Sequence, residues 1–140
     1  MTSLALLIAR IGLGIIFIAH GWQKFDEMGV KAVGAGFAKS GIPAPELSAY
    51  FSTFVELVGG AALLMGAFTA VAGLLLTLDM LGALLFVHID KGVFVAEGGY
   101  ELVVALGVGA LLLAVFGAGR YSVDGLLGGK VGRAGALAKS

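Results

Sequence analysis

Apolar positions along the 140-residue chain gather into four runs, over residues 4–21, 50–68, 69–88 and 101–117. Each approaches the roughly 20 residues that an α-helix needs to cross a hydrocarbon core about 30 Å thick. These runs are apolar around most of the helical circumference, the pattern of a helix surrounded by protein or by lipid, and a chain this short cannot cover four such helices with its own residues. The pattern predicts an all-α polytopic membrane protein, a four-transmembrane-helix bundle. The second and third runs are nearly continuous. Together they are too long for one straight span at about 1.5 Å per residue, and Gly66 offers a break, so a tight helical hairpin is expected there.

The stretch 22–49 has a different texture. It carries Lys24, Asp26, Glu27, Lys31 and Lys39 and ends in Gly41-Ile42-Pro43-Ala44-Pro45. Val30, Val33, Phe37 and Ala38 recur at near-helical spacing, which predicts a short amphipathic helix on the membrane surface or over the bundle, stopped by the prolines. Four crossings put both termini and the hairpin turn on one face, side A, and the two longer loops on the other, side B. Trp22, Tyr50 and Tyr100 then fall at side-B helix ends and Tyr121 at a side-A end, at headgroup level. The first run carries Arg10 in its middle, lacks a basic leader and ends in His20-Gly21-Trp22, so it reads as a retained helix rather than a secretory signal. Residues 1–124 are expected to form the membrane domain. Gly125, Gly128, Gly129 and Gly132 suggest a flexible tail over 125–140.

Composition agrees with lipid as the solvent, with 59% hydrophobic residues against 13% charged. The formal net charge is zero and no basic run is dense, which sets nucleic acid aside as a partner. Cysteine is absent, so disulfides, thiolate metal sites, iron–sulfur clusters and covalently attached haem are excluded, and any redox role needs a borrowed cofactor or a partner. Glycines within the apolar runs, Gly14, Gly59, Gly60 and Gly73 among them, predict close helix packing.

The candidate chemistry lies in the ionisable residues within those runs: Arg10, Glu56, Asp79 and Glu101. An arginine near the middle of a span is unfavourable by about 2.5–3.5 kcal/mol even on gentle scales, so Arg10 should face protein and have a partner. Its helix face reads Arg10, Gly14, Phe17, Gly21, Lys24, and counting from the helix ends places Glu56 and Asp79 within its reach. One reading is a buried ionic clasp that fixes helix register. The other is a polar cavity open to side B, with Arg10, Glu56 and Asp79 as its floor, His20, Lys24 and Glu101 at its entrance and the long loop as a lid. One arginine cannot neutralise two acids, so the second must hold a proton, meet water or meet a polar ligand. His20 and His88 both belong to side B, but His88 follows Asp79 by nine residues, about 180° around an α-helix, and points away unless the helix has ended. This geometry argues against a haem or metal site and makes His20 the better ligand-facing histidine.

Arg10 with Gly12 and Gly14, then His20-Gly21-Trp22-Gln23-Lys24, Gly41-Ile42-Pro43, Glu56-Leu57-Val58-Gly59-Gly60, Asp79-Met80, Gly99-Tyr100-Glu101 and Gly119-Arg120-Tyr121-Ser122-Val123-Asp124 together resemble the DoxX family. The resemblance implies a multi-pass protein of the bacterial inner (cytoplasmic) membrane, distantly related to the small subunit of thiosulfate:quinone oxidoreductase. It also implies an association with redox-enzyme partners of the superoxide dismutase or sulfurtransferase type and with oxidative stress. The leading expectation is a redox-associated accessory membrane protein that binds a quinone or another small amphipathic ligand. If catalytic, it would be a membrane oxidoreductase subunit working with a partner. The alternatives are a non-enzymatic assembly or scaffold subunit, a homo-oligomer among the options, and, third, a small-solute or proton transporter.

Overall fold

The computed structural model describes residues 2–127. Its elements are α1 (Thr2–Trp22), continued by a π-helical turn (Gln23–Met28), and α2 (Val30–Lys39). Next come α3 (Pro45–Met65) and α4 (Thr69–Ala83), the latter extended by a π-helical turn (Leu84–His88) and a 3₁₀ turn (Ile89–Lys91). A second 3₁₀ turn (Val95–Glu97), α5 (Glu101–Phe116) and the single turn α6 (Val123–Leu126) complete the described chain. The fold is all-α, and α1, α3, α4 and α5 are the four expected helices.

Local chemistry sets the boundaries. The third helix of the chain starts at Pro45, five residues before the expected position. Proline suits the first helical position because its φ is already helical and the amide it lacks would have had no intrahelical acceptor. At the other end Gly66 takes a left-handed conformation (φ 68°) and closes the helix, which makes the tight hairpin into α4. The expected amphipathic helix is α2, which buries Val33 and Gly34 against α3. Gly125 belongs to α6, and residues 128–140 of the expected tail lie outside the described residues.

The four long helices close a ring in which α1 packs on α3, α3 on α4, α4 on α5, and α5 on α1. A bare backbone makes the first contact possible: a Cβ on either Gly14 or Gly60 would stand 2.9 Å from the other's carbonyl oxygen. Phe17, Leu63, Leu76, Leu106, Ala110 and Leu113 form the centre of the core. The outward faces remain apolar, as at Ile8, Val58, Leu74 and Val108, and these face lipid.

Three spans, Thr2–Met28, Pro45–Met65 and Thr69–Lys91, are long and apolar enough to cross a membrane by themselves. The fourth apolar helix, α5, has only 16 residues, about 24 Å at 1.5 Å per residue. Beyond its end Gly117, Ala118 and Gly119 continue inward as buried irregular chain, with the amide of Arg120 bonded to Ser3 Oγ at 3.2 Å. Irregular backbone at membrane depth is tolerated only where protein surrounds it, and α1 supplies that cover here.

Candidate functional site

On side B the ring opens around a cavity of about 480 Å³. Phe17, Val103 and Leu106 wall it from α1 and α5, while Phe37, Ile42 and Pro43, from α2 and the loop after it, roof it. Lys24, Ser52, Glu56, Asp79, His20 and His88 bring polar groups to the same space. A mostly apolar pocket of this size with a few convergent polar groups is the usual form of a small-molecule site.

Glu56 is almost wholly buried, and both its oxygens are engaged. Lys24 Nζ meets Oε1 at 2.5 Å, and Ser52 Oγ donates to Oε2 at 2.9 Å. Ser52 and Glu56 stand four residues apart on α3, so one helix face presents both, and Lys24 reaches them from the π-helical turn that continues α1. Asp79, on α4, brings a second carboxyl group to the same cavity. Its Oδ2 is buried and receives no hydrogen bond among the described residues. One ammonium beside two carboxyl groups compensates one negative charge. The second carboxyl group needs a proton or a donor from a bound molecule.

The two histidines are fixed alike. Nδ1 of His20 lies 2.9 Å from the Ile16 carbonyl oxygen, and Nδ1 of His88 lies 2.6 Å from that of Gly98. A carbonyl only accepts, so each Nδ1 carries a proton, which leaves Nε2 of each ring facing other partners. His88 lines the cavity, against the α-helical expectation, because the π-helical turn at Leu84–His88 advances less around the axis per residue than the roughly 100° of an α-helix. No group of three or more His, Cys, Asp or Glu among the described residues could hold a metal ion.

Of the six residues expected at the site, His20, Lys24, Glu56 and Asp79 line the cavity, and Arg10 and Glu101 do not. Arg10 is fully buried but points to side A. Its Nη1 donates to the carbonyl oxygens of Leu63 at 3.1 Å and Leu64 at 3.3 Å, and its Nη2 to that of Tyr121 at 2.6 Å. The last carbonyls of a helix lack intrahelical donors and form its negative pole, so the end of α3 is a ready site for a cation. The expected pairing of Arg10 with Glu56 or Asp79 is therefore replaced by Lys24, about 20 Å further along the same helical course at 1.5 Å per residue. Glu101 is exposed in the first turn of α5, where a negative charge suits the helix dipole.

One polar contact had no forecast. Asp124 folds back over the hairpin, its oxygens accepting from the amides of Phe68 at 2.9 Å and Thr69 at 3.0 Å, while its own amide donates to Gly66 O at 2.9 Å. It caps the start of α4 from a distance and lies near enough for its charge to act on Arg10. The sequence held a partial signal, an acid after the Gly117–Gly119 break, but nothing local indicates which helix it reaches.

Four membrane helices around a polar pocket at one end define a polytopic membrane protein with an intramembrane cavity. The DoxX family model matches residues 5–89, a span that holds Arg10, His20, Lys24, Glu56, Asp79 and His88, and the chain belongs to the DoxX family. It is 30% identical over 128 residues to the "Uncharacterized membrane protein Rv3486" of Mycobacterium tuberculosis, covering 82% of this chain and 76% of that protein. It is 31% identical over 100 residues to the "Putative oxidoreductase CatD" of Bacillus subtilis, covering 71% of each chain. A Haemophilus influenzae protein is 31% identical over 118 residues, covering 82% of this chain and 84% of its own. No solved structure matches the chain.

Proposed function

We propose that this DoxX-family protein holds the polar head of a quinone-like amphipathic molecule in its side-B cavity, as an accessory component of a membrane redox system of the bacterial inner membrane. The observation that carries the reading is the unsatisfied Asp79 Oδ2, buried beside a Glu56 whose two oxygens are already engaged. An acceptor left without a donor in an apolar cavity is costly, and a hydroxyl on a ligand ring removes the cost. The reduced, quinol form has two such hydroxyls. His20 and His88, through Nε2, and the Glu56–Asp79 pair would then exchange protons with the ring oxygens. The chain has no cysteine, so electrons would come from or go to a partner, for which an enzyme of the superoxide dismutase or sulfurtransferase type is a candidate. The name of the Bacillus subtilis relative supports a redox setting.

The test is a native preparation extracted for lipophiles and analysed by mass spectrometry, followed by thermal unfolding with added quinol. A ligand present at a hundred times its dissociation constant stabilises the folded state by about 2.7 kcal/mol, a readily measured shift. Asp79→Asn should keep the fold and lose about half of that shift. If no quinone co-purifies and added quinol leaves unfolding unchanged, the proposal fails.

A further inference from the structure

We infer that the cavity is entered sideways from the lipid, through a slot between α3 and α4 on side B, so that a bound molecule keeps its polar head inside and its apolar tail among the acyl chains. The inference rests on the ligand-binding reading above and adds the route and the shape of the ligand.

The two helices are held together on side A by the Gly66 turn and by Asp124, and toward side B the cavity lies between them. Leu78, Gly82 and Phe86 follow one another four residues apart, and all three line the cavity. Facing them across it, α3 contributes Phe51, next to Ser52. Phe51, Leu78 and Phe86 are 44%, 51% and 43% exposed although they line an internal space, as residues on a rim must be. Gly82, between Leu78 and Phe86, would find no atom within 4 Å of an added Cβ, so the slot is open at that point. Asp79 follows Leu78 in α4 and lines the same cavity.

Other routes are closed or have the wrong character. Toward α1 and α5 the walls are Phe17, Met80, Val103 and Leu106, all buried. Toward the side-B surface the lining is Phe37, Ile42, Pro43 and Val95, an apolar end that is itself partly open, with Val95 46% exposed; of the loop charges Lys24, held by Glu56, lines the cavity, and Asp26, Glu27, Lys31, Lys39, Asp90 and Lys91 do not. A mouth meant for a water-borne solute would carry some of them. A slot edged by leucine and phenylalanine at membrane depth suits a lipid-dissolved one.

Binding of two probes to the whole protein in lipid nanodiscs tests the route: a decyl-tailed benzoquinol and the same ring with a methyl group in place of the tail. Gly82→Phe fills the slot where there is room for it and replaces a poor helix former, so the fold should persist, which thermal unfolding verifies. Leu81→Phe, on the lipid face outside the lining, is the control. The expected result is that Gly82→Phe weakens the tailed probe by about tenfold or more and the tail-less one by less than about threefold, with Leu81→Phe changing neither. Equal weakening of both probes, or of neither, overturns the lateral route while leaving the site itself standing. Failure of the unaltered protein to bind either probe overturns the functional reading, and the route falls with it.

Discussion

Replacing Lys24 by methionine keeps most of the length of the side chain and removes its charge, leaving Glu56 buried beside Asp79 with no cation and with Ser52 Oγ as its hydrogen-bond donor. The pair is short, 2.5 Å, and unevenly exposed, with Glu56 at 1% and Lys24 at 19%. Removing one partner of a fully buried ion pair costs about 3–5 kcal/mol, whereas an exposed pair contributes about 0.2–1 kcal/mol. The partial exposure of Lys24 places the expected loss between these limits, at about 2–3 kcal/mol. Most of that loss is the penalty of the stranded carboxylate, so it should shrink to under about 1 kcal/mol when Glu56→Gln is already present. The assay is a double-mutant cycle from reversible unfolding in mixed micelles, with Lys24→Met, Glu56→Gln and the double variant compared under one condition. If the two changes add to within about 0.5 kcal/mol, the residues are not coupled and the electrostatic description of the site is wrong.

Asp124→Ala should cost about 1–2 kcal/mol in the same unfolding assay by removing the cap on Phe68 and Thr69, and an unchanged stability would refute the cap. Arg10→Lys should destabilise by at least about 2 kcal/mol despite the retained charge, because an ammonium cannot span the carbonyls of Leu63, Leu64 and Tyr121 as the guanidinium does; equal stability would show that charge alone suffices. Gly60→Val should separate α1 from α3 and cost about 1–3 kcal/mol or prevent assembly, as read by unfolding and by size-exclusion profile. Asp79→Asn should weaken quinol binding by about tenfold with stability within about 1 kcal/mol of the parent, measured by titration and unfolding together.

Much of the fold was readable because lipid imposes a simple code: a helix must be long and apolar, and so the four runs became α1, α3, α4 and α5. The hairpin was readable at Gly66 because a left-handed residue marks a helix end on its own. Of the expected site residues Glu56 and Asp79 line the cavity, while Glu101 and Arg10 lie elsewhere. Arg10 and Lys24 were correctly placed on one helical face, yet depth counting treats a side chain as a point at its Cα. The long arginine reaches toward whichever end offers unpaired carbonyls, and the end of α3 offers them. The π-helical turns have no signature in residue type, so the turn of His88 into the cavity could not be foreseen. The reach of Asp124 back to Phe68 and Thr69 depends on tertiary arrangement alone.

The two polar centres of the bundle differ in what their charges satisfy. On side A, Arg10 and Asp124 bind backbone groups that no helix could satisfy for itself, the carbonyls ending α3 and the amides starting α4. A membrane protein needs such partners or their equivalent at any buried helix terminus. On side B, Glu56 and Asp79 lie within helices whose backbone is already bonded, so the fold gains no satisfied terminus from them. Lys24 and Ser52 engage Glu56, while Asp79 Oδ2 has no hydrogen bond among the described residues, as is also true of Arg10 Nε and Thr69 Oγ1 on side A. The side-B charges, set around an open volume, are what the proposed ligand-binding function accounts for, and the Asp79→Asn and Lys24→Met variants separate that account from a purely structural one. Arg10, expected from sequence to pair with Glu56 or Asp79, instead binds backbone carbonyls at the other end of the bundle, and the ion pair at the cavity is Lys24–Glu56.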